Sequence, residues 1–119
     1  MRLYGDDNMI LEDDGHIDLQ GVKLKYLACD GDINITSVDC SNMVSCELSY
    51  VTPLTERVLF ESMSATGEKI SRLEIENCEN IELLCETLQH LKRLQTLLLS
   101  DDILMIRNCT ITFLYRSCE

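Results

Sequence analysis

Ile70-Ser71-Arg72-Leu73-Glu74-Ile75-Glu76-Asn77-Cys78-Glu79-Asn80-Ile81 is the stretch that decides how this chain reads. Apolar residues hold its first, fourth and sixth places, Cys78 the ninth and Ile81 the twelfth. Leu73 and Ile75 alternate with Arg72, Glu74 and Glu76, the pattern of a short strand with one face in a core. Cys78 then stands where the chain would turn a corner. A second phrase with the same spelling opens 24 residues later at Leu94, with Leu97 and Leu99 as its inward pair. Between the two, Ile81, Leu84, Cys85, Leu88 and Leu91 follow the stripe of an amphipathic helix. Asn80 is its expected N-cap, and Lys92 and Arg93 fall in its expected last turn.

A strand, a helical return and the next strand at this period match a leucine-rich repeat, whose length runs from about 20 to 29 residues. Upstream, Leu24, Leu27, Cys29 and Asp32 fill the same places, with Ile35 at the twelfth. Ile35, Val38 and Cys40 restart the spacing after only eleven residues. Opening a further phrase at Cys46, with Ser49, Val51 and Leu54, gives steps of 22 and 24 residues. The expected fold is therefore α/β. It is a short leucine-rich-repeat solenoid of about four repeats. Its parallel strands lie on one face, with helical or irregular returns. This domain covers residues 21–119, after an acidic, weakly ordered lead-in over residues 1–20.

The segment from Ser49 to Lys69 is less regular. Pro53, the only proline, breaks a strand there. Val58, Leu59, Phe60 and Met63 suit a short helix or strand, and Gly67 marks a turn. A last strand is expected from Thr110 to Tyr115, where Ile111, Phe113 and Leu114 would close the open end of the stack.

Composition narrows the function classes. Hydrophobic residues make up 45 % and aromatic ones only 5 %, with no Trp, so the core must be aliphatic. The formal net charge of -11 argues against nucleic acid and anionic membranes, which need a basic face. Asp6, Asp7, Glu12, Asp13, Asp14 and Asp18 concentrate acid in the lead-in, as a solvated stretch or an acidic docking segment. No apolar run approaches the roughly 20 residues of a membrane helix. The opening Met1-Arg-Leu-Tyr-Gly-Asp-Asp lacks the apolar core of a signal peptide, so the expectation is a cytoplasmic protein, or a fragment whose targeting signal lies elsewhere.

Cysteines stand at 29, 40, 46, 78, 85, 109 and 118. An odd count without a Cys-x-x-Cys pair suits neither a disulfide framework nor structural zinc. Reduced thiols acting as small hydrophobes fit better. Asn34-Ile-Thr36 and Asn108-Cys-Thr110 match the glycosylation sequon but lack a secretory context. Asp30-Gly-Asp32-Ile-Asn34 opens like a calcium loop. It carries Ile35 and Ser41 where that loop needs Gly and Glu, so it reads as a turn. His16 and His90 have no partner at a recognised spacing, and no phosphate-binding loop or nucleophile elbow occurs. No enzyme, cofactor or metal is expected.

The stretch from Ile70 to Ile81, continuing through Leu88, Leu91, Leu94 and Leu97, resembles the irregular leucine-rich repeats of plant nucleotide-binding immune receptors. The likeness covers residues 70–100 well and 24–69 loosely. It implies recognition of pathogen or host proteins in plant defense, or contact with a neighbouring nucleotide-binding domain. The chain contains no such domain, so it would stand as a fragment, a truncated paralogue or an adaptor.

The reading is a protein-binding module whose partner carries a basic patch. Its contact surface would comprise Arg72, Glu74, Glu76, Thr96, Leu98 and Ser100, extended by Tyr26 and Asp39. Leu98 is the pointed case, since it faces outward if Leu97 and Leu99 face in. A cysteine-dependent redox or metal module and a non-functional repeat fragment are the alternatives.

Overall fold

A computed structural model of the chain describes residues 2–4, 8–12 and 15–100. The described residues are α/β, with parallel strands in two sheets and two helices. The strands are β1 (Arg2–Tyr4), β2 (Asn8–Glu12), β3 (Gly15–Leu19), β4 (Tyr26–Asp30), β5 (Ile33–Val38), β6 (Ser45–Ser49), β7 (Arg72–Glu76) and β8 (Thr96–Leu99). The helices are α1 (Pro53–Thr66), between β6 and β7, and α2 (Ile81–His90), between β7 and β8. The larger sheet runs β1-β2-β4-β6-β7-β8, and all its neighbours are parallel except the β1–β2 pair. The smaller sheet pairs β3 with β5, also in parallel.

Register in the large sheet is set by the apolar alternation. Leu27 lies beside Cys46, Cys46 beside Leu73, and Leu73 beside Leu97. Cys29, Leu48, Ile75 and Leu99 form the next inward row. Leu27, Cys29, Cys46, Leu48, Leu73 and Ile75 are buried, in one cluster with Ile33, Ile35, Leu59, Phe60, Met63, Leu84 and Leu88 from the second layer. A one-residue slip of a strand in the large sheet would turn its inward pair outward, so the register is strongly specified.

This register corrects the sequence spacing in the middle of the chain. The inward pair of β6 is Cys46 and Leu48, not Ser49 and Val51. Its phrase therefore opens at buried Met43, and the steps from Leu24 to Met43 and from Met43 to Ile70 are 19 and 27 residues. Ile35 and Val38 do not start another phrase of the large sheet. They belong to β5, in the second layer, where α1 packs on them. Within residues 1–20, expected as a lead-in, the chain forms β1, β2 and β3, and β2 continues the parallel register of the large sheet.

Pro53 ends no strand; it opens α1, where its fixed φ and missing N–H cost nothing. Thr52 caps the helix by accepting from the Thr55 N–H at 3.2 Å. Buried Thr55 ties α1 to β5, donating to the Ile33 carbonyl and accepting from the Ile35 N–H. Gly67 ends the helix with its N–H on the Met63 carbonyl, and a Cβ there would come within 2.6 Å of that oxygen.

In α2, Leu84 and Leu88 bury the expected stripe and Cys85 is half-buried. Asn80 sits at the N-cap position but its side chain makes no cap; it reaches α1 instead. The helix ends at His90, so Lys92 and Arg93 lie beyond its last turn. Asp30-Gly-Asp32 is the turn from β4 to β5, with Gly31 at φ 95°. The strand expected over Thr110 to Tyr115 lies outside the described residues.

Candidate functional site

Strand alternation that sends Leu27, Cys46 and Leu73 inward sends their neighbours to the outer face of the large sheet. In register, the outer rows are Tyr26-Ser45-Arg72-Thr96, then Ala28-Glu47-Glu74-Leu98, then Asp30-Ser49-Glu76. Of the eight residues expected on a contact surface, six stand on these rows: Tyr26, Arg72, Glu74, Glu76, Thr96 and Leu98. Ser100 follows β8, and its hydroxyl accepts from the Asn77 N–H at 3.1 Å. Asp39 follows β5 of the other sheet, where its carboxylate accepts from the Ser41 N–H at 2.9 Å.

Glu47 is the residue that sequence spacing missed, and it is the hub of the face. The Tyr26 hydroxyl donates to Glu47 Oε2 at 2.7 Å. Arg72 Nη1 donates to Glu47 Oε1 at 2.8 Å, and Arg72 Nη2 reaches Glu74 Oε2 at 3.3 Å. One cation thus bridges two carboxylates on adjacent strands. The signal for Glu47 was its neighbour Leu48. With Leu48 read as inward, Glu47 falls in the same outer row as Glu74.

The electrostatics follow this network. The hydrogen bond from Tyr26, then that from Arg72, holds the Glu47 carboxyl below the usual carboxylate range. The same bond, with burial second, pushes Tyr26 up to about 12. Glu47 in turn raises Arg72. The third row is different. Glu76 accepts from the Ser49 hydroxyl at 3.2 Å. Among the described residues neither Asp30 nor Glu76 has a lysine or arginine at ion-pair distance.

The face also carries two depressions. A depression of about 310 Å³ spans β4, β6 and β7 and is lined by Tyr26, Ala28, Asp30, Glu47, Ser49, Glu74 and Glu76 among others. A second of about 150 Å³ adjoins it over β7 and β8, sharing Glu74 and Glu76 and adding Leu98. Leu98 is 45 % exposed.

Among the described residues, Cys29, Cys40, Cys46 and Cys78 are buried in the core cluster. Burial pushes Cys29 and Cys78 up to about 12 and Cys40 to about 11, and raises Cys46 well above an ordinary thiol. Such thiols are poor nucleophiles near neutral pH. Among the described residues, no group of three or more His, Cys, Asp or Glu side chains is arranged to hold a metal ion. No helix among them is long and apolar enough to cross a membrane.

Comparison with protein-family models, with curated proteins and with solved structures finds no match for this chain.

Proposed function

We propose that the chain is a short leucine-rich-repeat solenoid that acts as a protein-protein interaction module, with the outer face of its large sheet as the contact surface. The observation that carries this reading is the register. Four parallel strands, β4, β6, β7 and β8, bring Tyr26, Glu47, Arg72, Glu74 and Leu98, far apart in sequence, onto one face. The spacing of Ile70 and Leu94 supports the repeat, and so do left-handed corners at Gly31, Tyr50 and Asn77. All three occupy the eighth place of their phrases.

Acid dominates the face, with Asp30, Glu47, Glu74 and Glu76 against Arg72. It suits a partner with a basic patch, whose encounter the charge accelerates. The same charge disfavours nucleic acid and anionic membranes. We assign such recognition to cytoplasmic plant defense against pathogens, a reading supported only by the resemblance of residues 70–100 to the repeats of plant immune receptors. The test is charge reversal at Glu74 and Glu76 together, in a chain that still melts cooperatively. Loss of the partners captured by the unaltered chain is the expected outcome. Retention of those partners by the doubly reversed chain sinks the reading.

A further inference from the structure

The outer face is not uniformly charged. Arg72 already bridges Glu47 and Glu74, so both carboxylates of the first two rows have a cation partner. The third row, Asp30-Ser49-Glu76, carries two carboxylates and no cation among the described residues.

Tyr50 follows Ser49 at the end of β6, which lies between β4 and β7 in the sheet. Its N–H donates to the Glu76 carbonyl at 3.0 Å. It is 57 % exposed and sits at φ 52°, a conformation costly for a bulky side chain. The equivalent corners carry Gly31 and Asn77, residues suited to it. An exposed aromatic thus directly follows Ser49, the residue between the two carboxylates of the third row. On the far side of Glu76 stands exposed Leu98, in the adjoining depression.

We infer that this face docks an extended peptide segment containing an arginine followed by an aliphatic residue, the guanidinium seated between Asp30 and Glu76 beside Tyr50 and the aliphatic side chain on Leu98. The inference rests on the proposed interaction role and names the partner's chemistry. Arginine fits better than lysine because its planar group stacks on an aromatic ring and still donates to carboxylates in its own plane. From the β6 corner to Leu98 is two strand spacings and about two residues along the strands, about 12 Å in all, which about three to four extended residues span. The recognised segment is therefore Arg-x-x-aliphatic or one residue longer.

The experiment is an NMR titration of the isotope-labelled full chain with the capped peptide Gly-Arg-Ser-Ser-Leu-Gly. Glutamate-for-arginine and serine-for-leucine versions serve as comparisons. Saturable shifts are expected at the amides of Asp30, Ser49, Tyr50, Glu76 and Leu98. Binding should weaken at least tenfold in Asp30→Asn combined with Tyr50→Asn, and severalfold in Leu98→Ser. Asparagine at 50 keeps a residue that tolerates the left-handed corner, so the fold is preserved. Shifts centred elsewhere, equal binding of the glutamate peptide, or no shift at all would overturn the inference. Partners lost on reversal of Glu74 and Glu76, yet kept by the Asp30→Asn, Tyr50→Asn chain, would overturn it alone. The broader interaction role would then stand.

Discussion

The carboxylate of Glu56, on α1, accepts hydrogen bonds from both the backbone and the side chain of Asn80, at 3.0 and 2.9 Å. It also takes the N–H of Glu79, at 3.1 and 3.2 Å. Glu56 is 1 % exposed, so one buried acid fixes the corner where β7 passes into α2. Glu56→Ala should leave the backbone N–H groups of Glu79 and Asn80 without that acceptor and cost about 2–3 kcal/mol. Glu56→Gln keeps one acceptor oxygen and should cost about half as much, since the bond is no longer charge-assisted. Urea unfolding checks this: the midpoint should fall in that order with an unchanged slope.

The register of β6 gives the next prediction. Leu48 is 2 % exposed while Leu98, on β8, is 45 % exposed. Leu48→Ala should cost about 2–5 kcal/mol through lost burial and the cavity left behind. Leu98→Ala should stay within about 0.5 kcal/mol. Thermal melts of the two variants separate a packing residue from a surface residue.

These two cases show what the sequence made legible and what it did not. The phrases at Ile70 and Leu94 could be read because both inward places hold Leu or Ile and the helix between them has a clean stripe. The β6 phrase hid because Met43 and Cys46 fill its apolar places, and a small thiol is a weak marker of register. Setting it three residues late turned Glu47 into an anonymous position and concealed the hub of the face. Ile35 and Val38 misled for another reason. A return that is itself a strand buries apolar residues at a spacing that imitates the phrase of the main sheet. The Glu56–Asn80 contact could not be read at all, because a local cap explains Asn80 equally well in one dimension.

The Tyr26–Glu47 bond predicts a titration. Tyr26 is pushed up to about 12, chiefly by that bond. Its folded value exceeds the unfolded one near 10, so its contribution to stability is whole below about pH 10 and is lost as pH rises through about 12. Glu47 works in the opposite sense: its value is depressed, so its contribution is present above about 4.5 and fades as pH falls through its lower folded value. Ultraviolet titration of the native chain should show Tyr26 ionising late, assigned by the loss of that step in Tyr26→Phe. In Glu47→Gln that tyrosine should move back toward its ordinary value.

The left-handed corners predict opposite signs for two substitutions. Asn77 at φ 66° tolerates the conformation, and a β-branched residue would not. Asn77→Val should therefore destabilise by about 1–2 kcal/mol. Tyr50→Asn should relieve strain and stabilise by up to about 1 kcal/mol. Scanning calorimetry gives both, and a stabilised Tyr50→Asn chain would mean the native tyrosine is kept at a cost in stability.

Burial of the thiols predicts their reactivity. Cys29, Cys40, Cys46 and Cys78 are buried and raised, whereas Cys85 is half-buried on α2. Brief alkylation with iodoacetamide near pH 8 should leave the first four unmodified while the chain is folded. In denaturant all four should react at the rate of a free thiol, because the unfolded chain restores their solvation. Peptide mapping by mass reads the outcome residue by residue. Rapid modification of Cys29 or Cys46 in the folded chain would require a thiolate the packing does not support. It would then favour the cysteine-dependent alternative over a binding face.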